Sequence, residues 1–169
     1  MKTVYIVRHA KSSWDFPHLS DHERPLLEKG KKRTRLINDY LIKNKITVDL
    51  IISSHAVRAY ETAKIIARAI DYPKDAIRID RMIYHSNADR LIDQFYDLSN
   101  DFESVMLVGH NPTLTNFVNQ YLDEKIEWLP TSGVVCIEFD TEKWEDISLA
   151  KYKDIFTVYP KMLKKKKKE

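Results

Sequence analysis

Short, strongly apolar runs alternate along the chain with longer stretches in which apolar residues recur at helical spacing. Four runs have clear strand character, and two weaker ones follow the same pattern: residues 3–7, 49–53, 105–108 and 134–139, with 77–79 and 155–158 as the weaker pair. The first and third clear runs are apolar at nearly every position. This is typical of central parallel strands that are covered on both faces.

Helical patterns lie between these runs. Residues 26–45 and 56–70 carry apolar stripes opposite polar faces. A third helix is predicted to begin at a cap-like Ser86, and a fourth with Asn111 as N-cap and Pro112 in the first position. Alternating strands and helices predict an α/β fold, a three-layer α/β/α sandwich with a mostly parallel central sheet. In such sheets, ligands bind beyond the carboxyl ends of the strands.

Composition narrows the class of protein. The 169 residues are enough for one domain, and 43% apolar with 31% charged residues is ordinary for a soluble globular protein. No stretch approaches the ~18 apolar residues of a membrane span, so no membrane partner is expected. The single Cys136 permits no intrachain disulfide, and the N-terminal apolar run is too short for a secretory signal. We therefore expect a cytoplasmic protein.

The basic net charge belongs to the end of the chain. Residues 164–169 hold five lysines and one glutamate; subtracting their +4 from the whole chain's +3 leaves −1. We predict a single domain over residues 1–160 and a Lys-rich, disordered tail over residues 161–169. Weak attraction of this tail to nucleic acid or to an acidic partner is the alternative. Because the sequence has no recognition helix and no aromatic-basic platform, nucleic acid is not expected as a partner.

Arginine and histidine side chains directly follow three of the predicted strands. Arg8 and His9 come after the first strand, His110 follows the 105–108 strand, and Arg58 lies one turn into the helix after the second strand. Because the carboxyl ends of parallel strands meet at one edge of a sheet, we expect these side chains to converge there beside a helix N-terminus. The planar fork of arginine binds phosphate oxygens bidentately and keeps its charge. The pattern therefore predicts a phosphate site.

Two other interpretations use the same residues. A single histidine at a strand end is commonly a hydrogen-bonded structural residue. His9, His55, His85 and His110 are also potential metal ligands. Two nearby arginines would repel a dication, however, and no Cys or carboxylate cluster completes a ligand set. We therefore predict that the site needs no metal and no other cofactor.

Six segments extend the pattern along the chain: VYIVRHAKSSW, SDHERPLLEKG, LIISSHAVRAYETA, MIYHSNADRLI, VMLVGHNPTL and PTSGVVCIEF. In this order they resemble the motifs of the histidine phosphatase (phosphoglycerate mutase-like) superfamily. Taken together they are similar to its SixA-type phosphohistidine phosphatase branch. The likeness runs from residue 3 to about residue 160.

The resemblance implies a role for each residue of the predicted site. His9 would attack phosphorus and become a transient phosphohistidine, while Arg8, Arg58 and His110 would hold the oxygens of the phosphoryl group. The attacking nitrogen of His9 must be neutral, so its other ring nitrogen should donate to a fixed acceptor. Larger members of the superfamily carry the general acid on an insert for which this chain has no room. Asp21, upstream of the RPL segment, is the predicted substitute, with a turn or N-cap role as its alternative.

The predicted function is that of a metal-independent phosphatase that acts on protein phosphohistidine and releases inorganic phosphate. A compact site without the usual acid favours a P–N bond, because a protonated imidazole leaves far more readily than an alkoxide. Two alternatives stay open: a promiscuous phosphomonoesterase that acts on small phosphoesters at the same site, and a non-catalytic phosphate-binding module.

Two departures from the family pattern lie near the predicted pocket. His55 stands where the family usually has proline, which adds an imidazole at the expected rim. The loop of residues 11–20 carries Trp14, Phe16 and His18. These side chains either cap the site and select its substrate or pack locally.

Overall fold

The sheet of this protein has six strands, and the computed structural model describes residues 1–164. The strands are β1 (Lys2–Arg8), β2 (Leu50–Ser53), β3 (Arg78–Ile79), β4 (Ser104–Gly109), β5 (Val134–Asp140) and β6 (Lys151–Val158). The helices are α1 (Glu28–Lys43), α2 (Val57–Ala69), α3 (Met82–His85), α4 (Ala88–Leu91), α5 (Asp93–Tyr96), α6 (Thr113–Val118) and α7 (Pro160–Leu163). No helix in this described part of the chain is long and apolar enough to cross a membrane.

The strand order is β3-β2-β4-β1-β5-β6, and the first four strands are mutually parallel. β5 runs antiparallel to both of its neighbours, so β6 again points the same way as β1. The predicted mostly parallel sheet is confirmed. Residues 3–7 of β1 are each paired with β4 on one side and β5 on the other, as expected for a central strand that is apolar almost throughout.

Two apolar cores lie on opposite faces of the sheet. Alternate β1 residues divide between them, because successive strand side chains point to opposite faces: Val4 and Ile6 face α3–α6, whereas Tyr5 and Val7 face α1 and α2. This is the predicted three-layer α/β/α sandwich. Gly30 lets α1 approach the loop after β1, since a Cβ there would lie 2.4 Å from the Lys11 carbonyl oxygen.

Two predicted helix starts are displaced. The cap of α4 is Asn87 and not Ser86, because the Asn87 side chain is the one that accepts the Arg90 N–H, at 3.0 Å. α6 begins at Thr113, and the Asn111 side chain accepts from the N–H of Thr115 at 3.1 Å. Both helices therefore begin one residue later than predicted.

The end of the described chain lies next to α1. α7 follows β6 directly, with Pro160 at its first position and Tyr159 as its N-cap. The predicted tail of residues 161–169 thus begins within α7, and its residues 165–169 lie outside the described part of the chain.

Candidate active site

The strand ends bring the two predicted histidines together. Arg8 is paired with Gly109 in the β1–β4 register, so His9 and His110 leave the sheet side by side. The His9 N–H donates to the Gly109 carbonyl at 3.1 Å, and the two imidazole centroids are 5.2 Å apart. Residues separated by about a hundred positions in the sequence therefore form one pair, as the shared sheet edge predicts.

An open cleft of about 530 Å³ lies at this edge of the sheet. The predicted residues that line it are Arg8, His9 and Arg58. The other two predicted residues contact these three: the His110 ring packs on His9, and the Asp21 carboxylate accepts from Arg58. The structure therefore gathers all five predicted side chains at one place.

The His9 ring is fixed through Nδ1, which lies 2.7 Å from the Ala10 carbonyl oxygen. A carbonyl oxygen can only accept, so Nδ1 carries the hydrogen and Nε2 keeps its lone pair. The ring is 8% exposed. Burial, together with Arg58 and Arg8, outweighs the hydrogen bond to Ala10 and lowers the pKa of His9 to about 3. At neutral pH, His9 is thus an uncharged imidazole among cations.

His110 has one ring nitrogen engaged and one free. Its Nε2 lies 2.8 Å from the Ser54 hydroxyl, whose oxygen also accepts the Ala56 N–H at 3.2 Å. Its Nδ1 is buried and has no hydrogen-bond partner within the described residues. Burial, then His9, lowers the pKa of His110 to about 3. Since buried polar atoms are rarely left unpaired, Nδ1 is a candidate contact for an oxygen of a bound group.

Arg8 also has one side-chain nitrogen with a hydrogen-bond partner and one without among the described residues. Its Nη1 donates to the Leu129 carbonyl at 3.1 Å, but Nε is buried and has no partner among the described residues. The guanidinium lies 5.6 Å from the centroid of the Trp128 ring. Burial and the nearby Arg58 lower the pKa of Arg8. Two arginines this close favour an anion between them, because the anion offsets their mutual repulsion.

Asp21 joins the two arginines that flank the cleft. Its Oδ2 accepts from Arg58 Nη2 and its Oδ1 from Arg24 Nη1, each at 2.9 Å. The Tyr84 hydroxyl donates to Oδ2 as well. Partial burial by itself would raise the pKa of Asp21, but the hydrogen bonds from Tyr84, Arg58 and Arg24 together hold it well below its usual range. The predicted proton donor is therefore an ionised carboxylate.

Arg24 is the site residue that sequence reasoning missed. It is buried, lines the cleft and donates through Nε to the Ser13 carbonyl at 3.0 Å. The face of its guanidinium lies 3.2 Å from the centroid of the Trp14 ring. The signal was present in the RPL segment, whose arginine lies four residues before the first residue of α1.

Thr62 was also missed, because it lies in the middle of a helix that looks purely structural. Its hydroxyl oxygen accepts the Ala10 N–H at 2.8 Å, and the hydroxyl donates to the Arg58 carbonyl at 2.7 Å. Thr62 thereby fixes the backbone of Ala10, the residue whose carbonyl orients His9. No pattern in the sequence indicates this contact.

The 11–20 loop is divided between the two roles predicted for it. Trp14 is 75% exposed and forms part of the cleft wall over Arg24. Phe16 and His18 pack on each other, with ring centroids 6.2 Å apart, and do not line the cleft. His55, predicted to lie at the rim, does not line the cleft; its ring packs on Tyr84, with ring centroids 5.2 Å apart. Within residues 1–164, no group of three or more His, Cys, Asp or Glu side chains is arranged to hold a metal ion.

Comparison with known proteins identifies similar sequences. A family model described as the histidine phosphatase superfamily (branch 1) matches residues 4–84. A protein of Mycobacterium leprae is 27% identical over 158 residues, covering 85% of this chain and 92% of the relative. A chloroplastic protein of Arabidopsis thaliana is 26% identical over 153 residues, covering 86% of this chain and 70% of the relative.

Solved structures extend the likeness over nearly the whole chain. A structure assigned as the phosphohistidine phosphatase SixA of Agrobacterium tumefaciens has a TM-score of 0.76 at 27% identity, and the match covers 94% of this chain and 98% of that one. The protein histidine phosphatase SixA complexed with tungstate has a TM-score of 0.80 at 21% identity, covering 96% and 99%. The second match shows a shared fold.

Proposed function

We propose that this chain, which belongs to the histidine phosphatase superfamily, is a phosphatase that dephosphorylates protein phosphohistidine by way of a transient phosphohistidine on His9. The observation that carries the proposal is the orientation of His9. Its Nδ1 hydrogen is committed to the Ala10 carbonyl, and Nε2 keeps its lone pair beside two cleft-lining arginines. A module that only binds phosphate has no need of a neutral nucleophile there.

In the first step, Nε2 of His9 bonds to phosphorus while the P–N bond of the substrate breaks. The electron pair of that bond stays on the leaving imidazole, which departs neutral when its other nitrogen carries a proton. The positive charge that develops on His9 is shared with the Ala10 carbonyl through the Nδ1 hydrogen bond. In the second step, water attacks phosphorus, His9 is restored and inorganic phosphate is released.

The oxygens of the transferred group would contact Arg8, Arg58 and His110. Arg8 Nε and His110 Nδ1 are both buried without a partner among the described residues, so they are available to a phosphoryl oxygen at no cost to an existing hydrogen bond. Arg24 completes the cationic wall of the cleft. Preorganised charges of this kind stabilise the transition state because they need no reorientation during the reaction.

Asp21 retains its proposed role as proton donor under one condition. An ionised carboxylate has no proton to give, and the hydrogen bonds from Tyr84, Arg58 and Arg24 keep Asp21 ionised. A bound phosphoryl group competes with Asp21 for both guanidiniums and adds negative charge nearby, which favours the protonated carboxyl. A phosphohistidine substrate needs this proton much less than an alkyl phosphate does, which supports a P–N substrate.

The test is direct detection of the phosphoenzyme. We expect that rapid mixing with a phosphohistidine peptide, followed by intact-mass analysis, shows one added phosphoryl group that is labile to acid and stable to base. His9→Ala should abolish both the adduct and the turnover. Arg58→Ala should slow both, yet leave phosphate binding detectable, because Arg8 and Arg24 remain.

His18→Ala is the matched control, since His18 is an exposed histidine outside the cleft lining and its loss should change neither signal. Turnover by His9→Ala above a trace would contradict the covalent mechanism. If the adduct forms from small aryl phosphates but not from phosphohistidine peptides, the nucleophile stands and the proposed substrate class is wrong.

A further inference from the structure

Basic side chains gather on the surface beside the cleft and form what we call the basic face. Its members come from the loop after β1, from α1 and from the end of the described chain: Lys11, Lys29, Lys32, Arg33, Lys161 and Lys164. Arg33 lines the catalytic cleft and two neighbouring surface depressions, and Lys164 lines both of those depressions. The basic face is thus continuous with the mouth of the cleft.

The fold places these residues together although they lie far apart in the sequence. Val158 at the end of β6 pairs with Val134, which pairs with Val7 of β1, so the chain leaves the sheet at the same edge as His9. α7 therefore begins at the catalytic edge and packs against α1. Gly30 lets the start of α1 approach the backbone of Lys11.

The cations of the basic face repel one another and lack partners. Arg33, Lys11 and Lys164 together lower the pKa of Lys29. Within residues 1–164, none of the six members forms an ion pair; the α1 carboxylate Glu28 pairs with Lys31 instead, at 3.2 Å. Asp15 also lines the cleft, and Glu28 and Asp39 line surface depressions that they share with Lys164.

This concentration of positive charge is local. Without residues 164–169 the chain carries a net charge of −1, so the rest of the described surface offsets the cations of the basic face. The sequence continues beyond Lys164 with four more lysines, Lys165–Lys168. An unpaired, one-sided cluster next to a catalytic cleft attracts an anionic partner and orients it during encounter.

We propose that the basic face binds an acidic segment of the same phosphorylated protein whose phosphohistidine enters the cleft. This inference rests on the proposed function, which requires a protein substrate to approach this edge of the sheet. An acidic segment next to the phosphohistidine would reach the basic face from the cleft without any rearrangement, because Arg33 belongs to both. The selectivity of the enzyme would then depend on the charge around the phosphohistidine as well as on the phosphoryl group.

The experiment compares two peptides of equal length, each with one phosphohistidine. One is flanked by aspartates and glutamates and the other by serines and glutamines. For the wild-type protein at low salt, we expect kcat/KM to be about tenfold higher for the acidic peptide, and the preference to shrink as salt is added. The double variant Lys29→Glu/Lys32→Glu should lose the preference. Its turnover of a small aryl phosphate should stay unchanged, since neither lysine lines the catalytic cleft.

The matched control is Lys74→Glu/Lys151→Glu, which changes the net charge equally at the far edge of the sheet. Lys74 precedes β3, and Lys151 opens β6 opposite Asp140. This variant should keep the preference. Equal kcat/KM for the two peptides in the wild-type protein, or equal losses in the two double variants, would overturn the inference.

Two further measurements distinguish an acidic peptide partner from a nucleic acid, and a wrong substrate class from a wrong docking surface. If a single-stranded oligonucleotide of matched charge binds more tightly than the unphosphorylated acidic peptide, the partner is a nucleic acid and the inference is wrong. If neither phosphohistidine peptide is hydrolysed, the proposed substrate class is wrong. Binding of the unphosphorylated peptides to the basic face is then measured by fluorescence anisotropy. Tighter binding of the acidic peptide, abolished by Lys29→Glu/Lys32→Glu, then supports the surface; equal binding overturns it.

Discussion

His9 and His110 are neutral at physiological pH because the folded protein resists their protonation. The pKa of each is lowered from its ordinary 6.5 to about 3, chiefly by burial. As the pH falls from about 6.5 toward 3, the unfolded chain takes up protons that the folded protein refuses. The stabilisation from these histidines is therefore complete above pH 6.5 and decreases through that window.

We expect the free energy of unfolding to fall between pH 6.5 and pH 5 by on the order of 1 kcal/mol per pH unit for each of the two histidines. The variant His9→Gln/His110→Gln should flatten this dependence, as measured by urea denaturation at each pH. The variant His18→Gln/His85→Gln replaces two exposed histidines and should keep the wild-type slope. Identical slopes in all three proteins would mean that the two buried rings accept protons in the folded state.

Asp21 is the residue whose role most needs a kinetic test. If Asp21 protonates the leaving group, the loss of rate caused by Asp21→Asn should be larger on an alkyl phosphate than on a phosphohistidine peptide, by about 10²-fold or more. The measurement is kcat on both substrates and on an activated aryl phosphate. Tyr84→Phe removes one hydrogen bond to the same carboxylate but leaves both arginines in place, so we expect only a small, uniform change. Equal losses for Asp21→Asn on all three substrates would show that it positions Arg58 and donates no proton.

At the scale of elements, α2 does more than supply one arginine. Arg58 and Thr62 are one helical turn apart, and both face the end of β1. Through Thr62, the helix holds the N–H of Ala10, the residue whose carbonyl orients His9. The first turns of α2 therefore position the proposed nucleophile and one of its proposed oxyanion ligands as one unit.

Thr62→Val should uncouple α2 from the Ala10 backbone, which orients His9. The buried Ala10 N–H loses its acceptor, so we expect a loss of about 1–3 kcal/mol in unfolding free energy. We also expect a fall in kcat of about tenfold or more with little change in KM, because a small misplacement of the nucleophile is costly. Thr62→Ser restores the hydroxyl and should rescue kcat. If Thr62→Val is destabilised but keeps full kcat, then Thr62 serves folding alone.

At the scale of the molecule, the sheet order decides which strand ends share the cleft. β4 lies between β2 and β1, so Ser54, His110 and His9 come from three neighbouring strands that are far apart in the sequence. The cleft they form has cationic walls and opens to solvent. An oxyanion that enters it should therefore stabilise the whole fold by binding only the folded state.

Tungstate at about 100 times its Kd should stabilise the protein by about 2.7 kcal/mol. That corresponds to a rise in melting temperature on the order of 5–10 °C for a domain of this size. Arg58→Ala should shrink the rise, whereas the Lys74→Glu/Lys151→Glu control should keep it. EDTA should change neither the melting temperature nor the turnover. Loss of turnover in EDTA that a single metal ion restores would contradict the metal-independent mechanism.

The fold class and the family were accessible from the sequence because both depend on local patterns. A continuous apolar run signals a strand covered on both faces, and the residue after such a run lies at the sheet edge whichever strand is its neighbour. That rule alone placed Arg8, His9 and His110 at one edge, where the structure has them. The two displaced helix starts show the limit of the same reasoning, since the position of a cap depends on which backbone N–H the polar side chain reaches.

Only the tertiary structure decided what those side chains touch. Asp21 reaches Arg58 across 37 positions and Tyr84 across 63, and Thr62 holds the Ala10 peptide across 52. Contacts of this kind depend on how α2 and the loop after β1 pack on the sheet. Hydrophobic periodicity carries no information about this packing. Periodicity records which face of an element is buried, whereas hydrogen bonds between distant elements depend on distances set by the packing of the whole chain. The sequence by itself therefore determined where the chemistry lies, and the packing decided the partners and the charge state of each group.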